Sequence, residues 1–344
     1  MKLKLSLVSL AALSLVGCEQ GQQRTQVAPV SELIRVKEQT PVHSKEGYYQ
    51  GLVQMRITDD SALDGVVESL QKNSNLTLTI LDEIKGQSIY LAKIEGTTPV
   101  DEAVKLIKNE RDVFSASRSY QMRASQDVAG DEDDIEEESP SRIPFRTNDP
   151  LLTTQWGMMN EAQEAPGALA GRKGADISMG GVDTEGSKDV VVAIIDTGID
   201  YFHEDLAVTE TVDGKTVLKA EESNIWVNPN EIPNNGINDD NNGDSRVGWG
   251  FIDDVHGYNF VNRTGDPMDD QGHGTHVAGV IGALRNNHKG IAGINGKVSM
   301  MGLKFLSAEG SGSDFDAQMA LYYLIDLKKR FPEKKFITSN SWGA

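Results

Sequence analysis

The chain has 344 residues, enough for two or three domains of ordinary size. Hydrophobic residues make up 38%, sufficient for packed cores, and the formal net charge is −19. That charge excludes a nucleic-acid backbone as partner, since phosphate contacts need a basic face, and it favours solubility and attraction to cations.

Lys2 and Lys4 form a basic start, and the apolar stretch 5–16 is too short to span a bilayer stably. It ends in Leu15-Val16-Gly17-Cys18, which resembles the lipobox of bacterial lipoproteins. The resemblance implies that 1–18 is a lipoprotein-type signal peptide. It also implies lipidation at Cys18, anchorage to a membrane, and export to the cell envelope (outer membrane or cell surface) or secretion. Residues 19–45 are polar and read as a tether.

Patterning predicts strands at 48–57, 76–81, 88–94 and 113–119, with helices at 61–71 and 100–109. The order β-α-β-β-α-β is that of a small α+β ferredoxin-like domain, placed at 46–124. Residues 125–147 contain the run 131–138, with one apolar residue in eight, and read as an exposed acidic linker suited to proteolytic cutting.

A second globular region runs from 148 to 344. Six apolar residues, 190–195, suit a strand covered on both faces, as in a parallel α/β sheet. Helices are predicted at 275–284 and 314–329, further strands at 300–306 and 336–339, a hairpin at 210–218 around Asp213-Gly214, and a Gly-rich surface loop at 171–188. This alternation predicts a doubly wound parallel sheet.

Asp196-Thr197-Gly198-Ile199-Asp200 follows the apolar strand directly, where strand ends border the functional crevice. A D-T-G also occurs twice in aspartic proteases, but only one copy is present here. Gly272-His273-Gly274-Thr275-His276-Val277-Ala278-Gly279 sets an imidazole between two glycines at a helix start, a place for a general base. His276 lies three positions on, lacks the spacing and Glu of a zinc motif, and reads as a packed, hydrogen-bonded helix residue.

These two motifs, Asp before His, resemble the signatures of the subtilisin-like (subtilase) family, whose chain order is Asp, His, Ser. Asn148-Asp149-Pro150-Leu151 with Gln155-Trp156-Gly157, Trp226-Val227-Asn228-Pro229, and Leu303-Lys304-Phe305-Leu306 add to the resemblance. It implies a partial subtilisin-like fold at 148–344 and a serine endopeptidase precursor acting on a protein or peptide substrate. Asp196 and His273 would be catalytic. Gly310, Ser311 and Gly312 would form one substrate-pairing edge, and Ser341, Trp342 and Gly343 the other. Residues 46–124 would be the chain's own propeptide. The family's oxyanion Asn and nucleophilic Ser are expected beyond Ala344, so the chain as written is expected to be a fragment that does not hydrolyse peptides.

The stretch 238–243 resembles the start of a calcium loop, although Trp249 stands where the twelfth-position Glu belongs. Asp239, Asp240, Asn242 and Asp253 are the candidate ligands, and calcium the expected structural ion. Two other readings stand beside the protease: a non-catalytic inhibitor or peptide-binding protein, and a metal-dependent hydrolase using His273, His276 and Asp196.

Overall fold

The computed structural model describes residues 27–343 apart from 44, 85, 126–144, 163–172, 175, 182–184 and 245–248. The signal peptide, Cys18 and most of the acidic linker therefore lie outside the described residues.

The first unit is an antiparallel sheet with two helices on one face and one on the other. Its elements are α1 (Val30–Gln39), β1 (Tyr48–Ile57), α2 (Leu63–Ser74), β2 (Thr77–Ile84), β3 (Ile89–Glu95), α3 (Val100–Lys108) and β4 (Val113–Ala124). The spatial order β4-β1-β3-β2 is the predicted split arrangement. α3 carries Asp101 and Glu102 in its first turn and Lys105 and Lys108 in its last, matching the helix dipole. α2 ends at Asn75 in the left-handed conformation. Val66, Leu70, Ala103 and Ile107 pack on Val53, Met55, Ile80 and Ala92 to form the core of this unit.

Two elements depart from expectation. Within the segment read as a tether, Val30–Gln39 is a helix, with Leu33 and Val36 buried. β4 runs five residues past the predicted 113–119, because its far end pairs with strands of the second unit.

The second unit holds a parallel sheet in the order β10-β11-β5-β13, built from β5 (Gly186–Asp196), β10 (Gly257–Asn259), β11 (Lys297–Lys304) and β13 (Lys335–Ser339). The hairpin of β6 (Thr209–Val212) and β7 (Lys215–Leu218) and the short pair β8 (Gly243–Asp244) and β9 (Trp249–Gly250) precede β10. β5 alternates its burial as a two-faced strand must: Val191, Ala193 and Ile195 enter one core, Val192 and Ile194 the other. Helix α4 (His273–Gly282) packs on the second of these faces. α5 (Asp314–Arg330) packs on the first, together with α1 and the β2–β3 end of the N-terminal sheet. β13 pairs only with β5 among the described residues, and Ile337 on it is 54% exposed, as expected of an edge strand.

Candidate functional site

The site begins where β5 ends. Asp196 is the last residue of β5 and is fully buried. Its Oδ1 accepts from Thr197 N at 2.7 Å and faces His273 Nδ1 at 2.7 Å. Burial pushes the Asp196 carboxyl upward, and the hydrogen bonds from His273 and Thr197 oppose that. With Nδ1–H donating to the carboxylate, Nε2 is the ring nitrogen left to accept a proton.

Glycine makes the approach of the two segments possible. Gly198 has φ +112°, and a Cβ there would lie 2.4 Å from Pro267 O. A Cβ on Gly274 would lie 2.1 Å from Gly198 O. Gly274 N donates to Thr197 Oγ1 at 2.9 Å, and Asp200 N to Thr275 Oγ1 at 2.9 Å, so the Asp turn and the His helix are laced on both sides of the couple. Asp269 braces the loop before His273, accepting from Gln271 N, Gly272 N and both Thr275 donors. Although burial pushes the Asp269 carboxyl up, these bonds hold it below the usual range.

The two predicted substrate edges are occupied by the chain itself. β4 lies antiparallel to β12 (Ser311–Ser313), with Ser311 opposite Arg123 and Gly312 opposite Met122. On its other side it pairs with β14 (Trp342–Gly343), with Gly343 opposite Arg123. Ala124 N donates to Gly310 O at 3.0 Å, and Ser125 N to Ser341 O at 2.8 Å. Trp342 lies edge-on to Phe305, with ring centres 5.0 Å apart. A groove of about 1370 Å³ lined by Tyr201, His256, Asp266 and Met319 touches neither Asp196 nor His273.

The candidate calcium ligands separate. Asp239 accepts from Ile232 N and Asn235 Nδ2, and Asp253 from Asn235 N and Gly236 N, both as turn acceptors. Asp240 converges instead with Glu231 and Asp254, the three carboxylates lying within 4.8 Å of one another. Asn242 donates to Asp240 and Asp254 through its amide. Glu231 Oε2 and Asp254 Oδ1 are buried with no partner. Sequence reasoning took Asp253 in place of its neighbour Asp254 and missed Glu231. The only signal for them was the carboxylates flanking an Asn/Asp-rich turn. His276 is exposed on α4, not packed as expected, and it joins no metal-type cluster among the described residues.

An acid–imidazole couple at the carboxyl end of a parallel sheet defines a subtilisin-like α/β arrangement. Residues 187–344 match the subtilase family model. Subtilisin-like protease 1 of Plasmodium vivax is 32% identical over 278 residues, covering 78% of this chain and 35% of that protein. The cell wall-associated protease of Bacillus subtilis is 24% identical over 277 residues, covering 76% of this chain and 26% of its own. Fervidolysin from Fervidobacterium pennivorans, a keratinolytic enzyme related to subtilisin, aligns structurally with TM-score 0.46 and 17% identity, covering 88% of this chain and 37% of that one. The chain thus spans about a third or less of each.

Proposed function

We propose that this chain carries the acid and the base of a subtilisin-like serine endopeptidase, held in an inhibited precursor by its own residues 46–124. The observation that carries the reading is the 2.7 Å Asp196–His273 contact at the end of β5. Asp196 would fix the imidazole tautomer and stabilise the imidazolium; His273 Nε2 would take a proton from a serine hydroxyl and return it to the leaving amine. Among the described residues no side-chain hydroxyl is hydrogen-bonded to His273, so the reading requires a serine from elsewhere in the polypeptide. Residues 1–344 alone are expected to be inactive. A polypeptide that continues them with a serine-bearing segment is expected to cleave denatured protein and to react with a serine-directed phosphonate. Cleavage blocked by chelators and untouched by the phosphonate would favour the metal-dependent hydrolase.

β4 supports the inhibitory role, because an extended segment added between two edges is how a cleft binds peptide. Ala124→Pro removes the N–H that Gly310 O accepts, at a cost of about 1–3 kcal/mol for the stranded carbonyl. Amide exchange at 311–313 and 342–343 should rise, and an added extended peptide should bind. Unchanged protection there would refute occupation of the cleft by β4. Persistent binding without any activity in the serine-supplied polypeptide would favour a peptide-binding protein.

The proposal extends to a structural calcium at Glu231, Asp240 and Asp254. Two orphaned oxygens facing a third carboxylate suit a hard cation. Burial, with the charges of Asp240 and Glu231, raises Asp254 to about 8, against hydrogen bonds from Tyr323 and Asn242. The folded, cation-free state then holds a proton that the unfolded state releases, so its stability falls as pH rises from about 4 to about 8. Calcium displaces that proton, so its affinity should rise over the same window. At a hundredfold excess over Kd, calcium should add about 2.7 kcal/mol to unfolding free energy. Thermal melts of the wild type and Asp254→Asn check this. A calcium response that survives in the variant rules the site out.

Export with lipidation at Cys18 completes the proposal; Cys18→Ser should move the protein from the membrane fraction to the soluble one, and unchanged fractionation would remove the anchor.

A further inference from the structure

Lys304 is 1% exposed, at the end of β11, among Leu303, Phe305 and Leu306. Burying an ammonium is costly unless each of its donors is used. Nζ has three donors, and it meets three acceptors: Thr197 O at 2.7 Å, Asp270 Oδ1 at 2.6 Å and Leu306 O at 3.0 Å. These acceptors belong to three separate segments of the site. Thr197 follows Asp196 and donates its N–H to that carboxylate. Asp270 stands in the loop before His273, next to the Asp269 that braces the same loop. Leu306 opens the segment that leads to β12, and its N–H, like that of Phe305, donates to Asp196 O.

We propose that Lys304 is a positioning residue, whose buried ammonium ties the Asp196 turn, the His273 loop and the start of the β12 segment into one register. An apolar side chain would fill the space and tie none of them. The inference rests on Asp196 and His273 acting as a couple, and the test separates the two.

The test uses the chain labelled with ¹⁵N-histidine and reads the low-field Nδ1–H proton resonance of His273 at low temperature. The unmodified chain should show it, and Asp196→Asn should abolish it. Lys304→Met and Asp270→Asn should each retain the fold's circular dichroism yet lose at least half the signal intensity through faster exchange with water. Asp270 is half-exposed, so Asp270→Asn keeps the test decisive should Lys304→Met fail to fold. A signal that depends on Asp196 but is unchanged in the folded Lys304 and Asp270 variants overturns the positioning role alone. Absence of any Asp196-dependent signal in the unmodified chain overturns the couple, and the positioning role with it.

Discussion

Asp196→Asn is expected to lower kcat by about 10⁴ in a polypeptide that supplies the serine, with KM little changed. The size follows from what the carboxylate does. Oδ1 accepts from His273 Nδ1–H and from Thr197 N, both at 2.7 Å, so two donors fix one oxygen and the imidazole follows. An amide in that place can present an N–H to Nδ1. The ring then carries its proton on Nε2, where the serine hydroxyl needs an acceptor. The imidazolium formed during attack also loses its counter-charge in a buried setting, where such a charge matters most. The fold should survive, because Asn is nearly isosteric; the –NH2 turned toward Nδ1 leaves Thr197 N without its acceptor, a loss of about 1–3 kcal/mol. Steady-state kinetics on a peptide ester, with a melting curve for each protein, decide the matter. A loss of less than about tenfold in a folded variant would remove Asp196 from the machinery.

The parts legible in the sequence were those whose signal is local. Residues 190–195 form a two-faced strand because every second side chain has a core to enter, and the run shows it. The couple was legible because glycines at 198 and 274 mark places where backbone must come close, and Gly272 a turn with φ +106° that favours glycine. What escaped notice depends on distant partners. Val30–Gln39 buries only Leu33 and Val36 deeply, too thin a pattern to distinguish from a tether. Residues 121–124 are strand because β12 and β14 lie alongside them. Glu231 and Asp254 lie 23 residues apart in the chain yet meet beside Asp240, and Lys304 reads as one charge at the end of an apolar strand until its three acceptors are seen.

Arg263→Met is expected to cost about 3–5 kcal/mol, the scale for breaking a buried ion pair from one side. The guanidinium lies between the two units. It pairs with Asp82 of β2 and, at 2.8 Å, with Asp316 of α5, and Lys37 of α1 meets Asp316 at 2.7 Å. All four side chains are almost wholly withdrawn from water. With the arginine gone, Lys37 still serves Asp316, and Asp82 loses its only cationic hydrogen-bond partner, keeping the backbone N–H of Glu83 at 2.9 Å. Burial already pushes the Asp82 carboxyl upward against the pull of Arg263 and Lys37, and without Arg263 it rises further. The folded variant then keeps a proton that the unfolded chain sheds above the ordinary carboxylate range, so its deficit grows with rising pH and shrinks in acid. Pairing the change with Asp82→Leu removes the carboxyl that lost its arginine and should recover most of the loss, since an apolar replacement of a whole buried pair is close to neutral. Urea unfolding at pH 5 and pH 8 of the single and double variants tests this. A single variant that loses under 1 kcal/mol, or a double variant no better than the single, would show that the pair is screened like a surface one and does not hold the two units together.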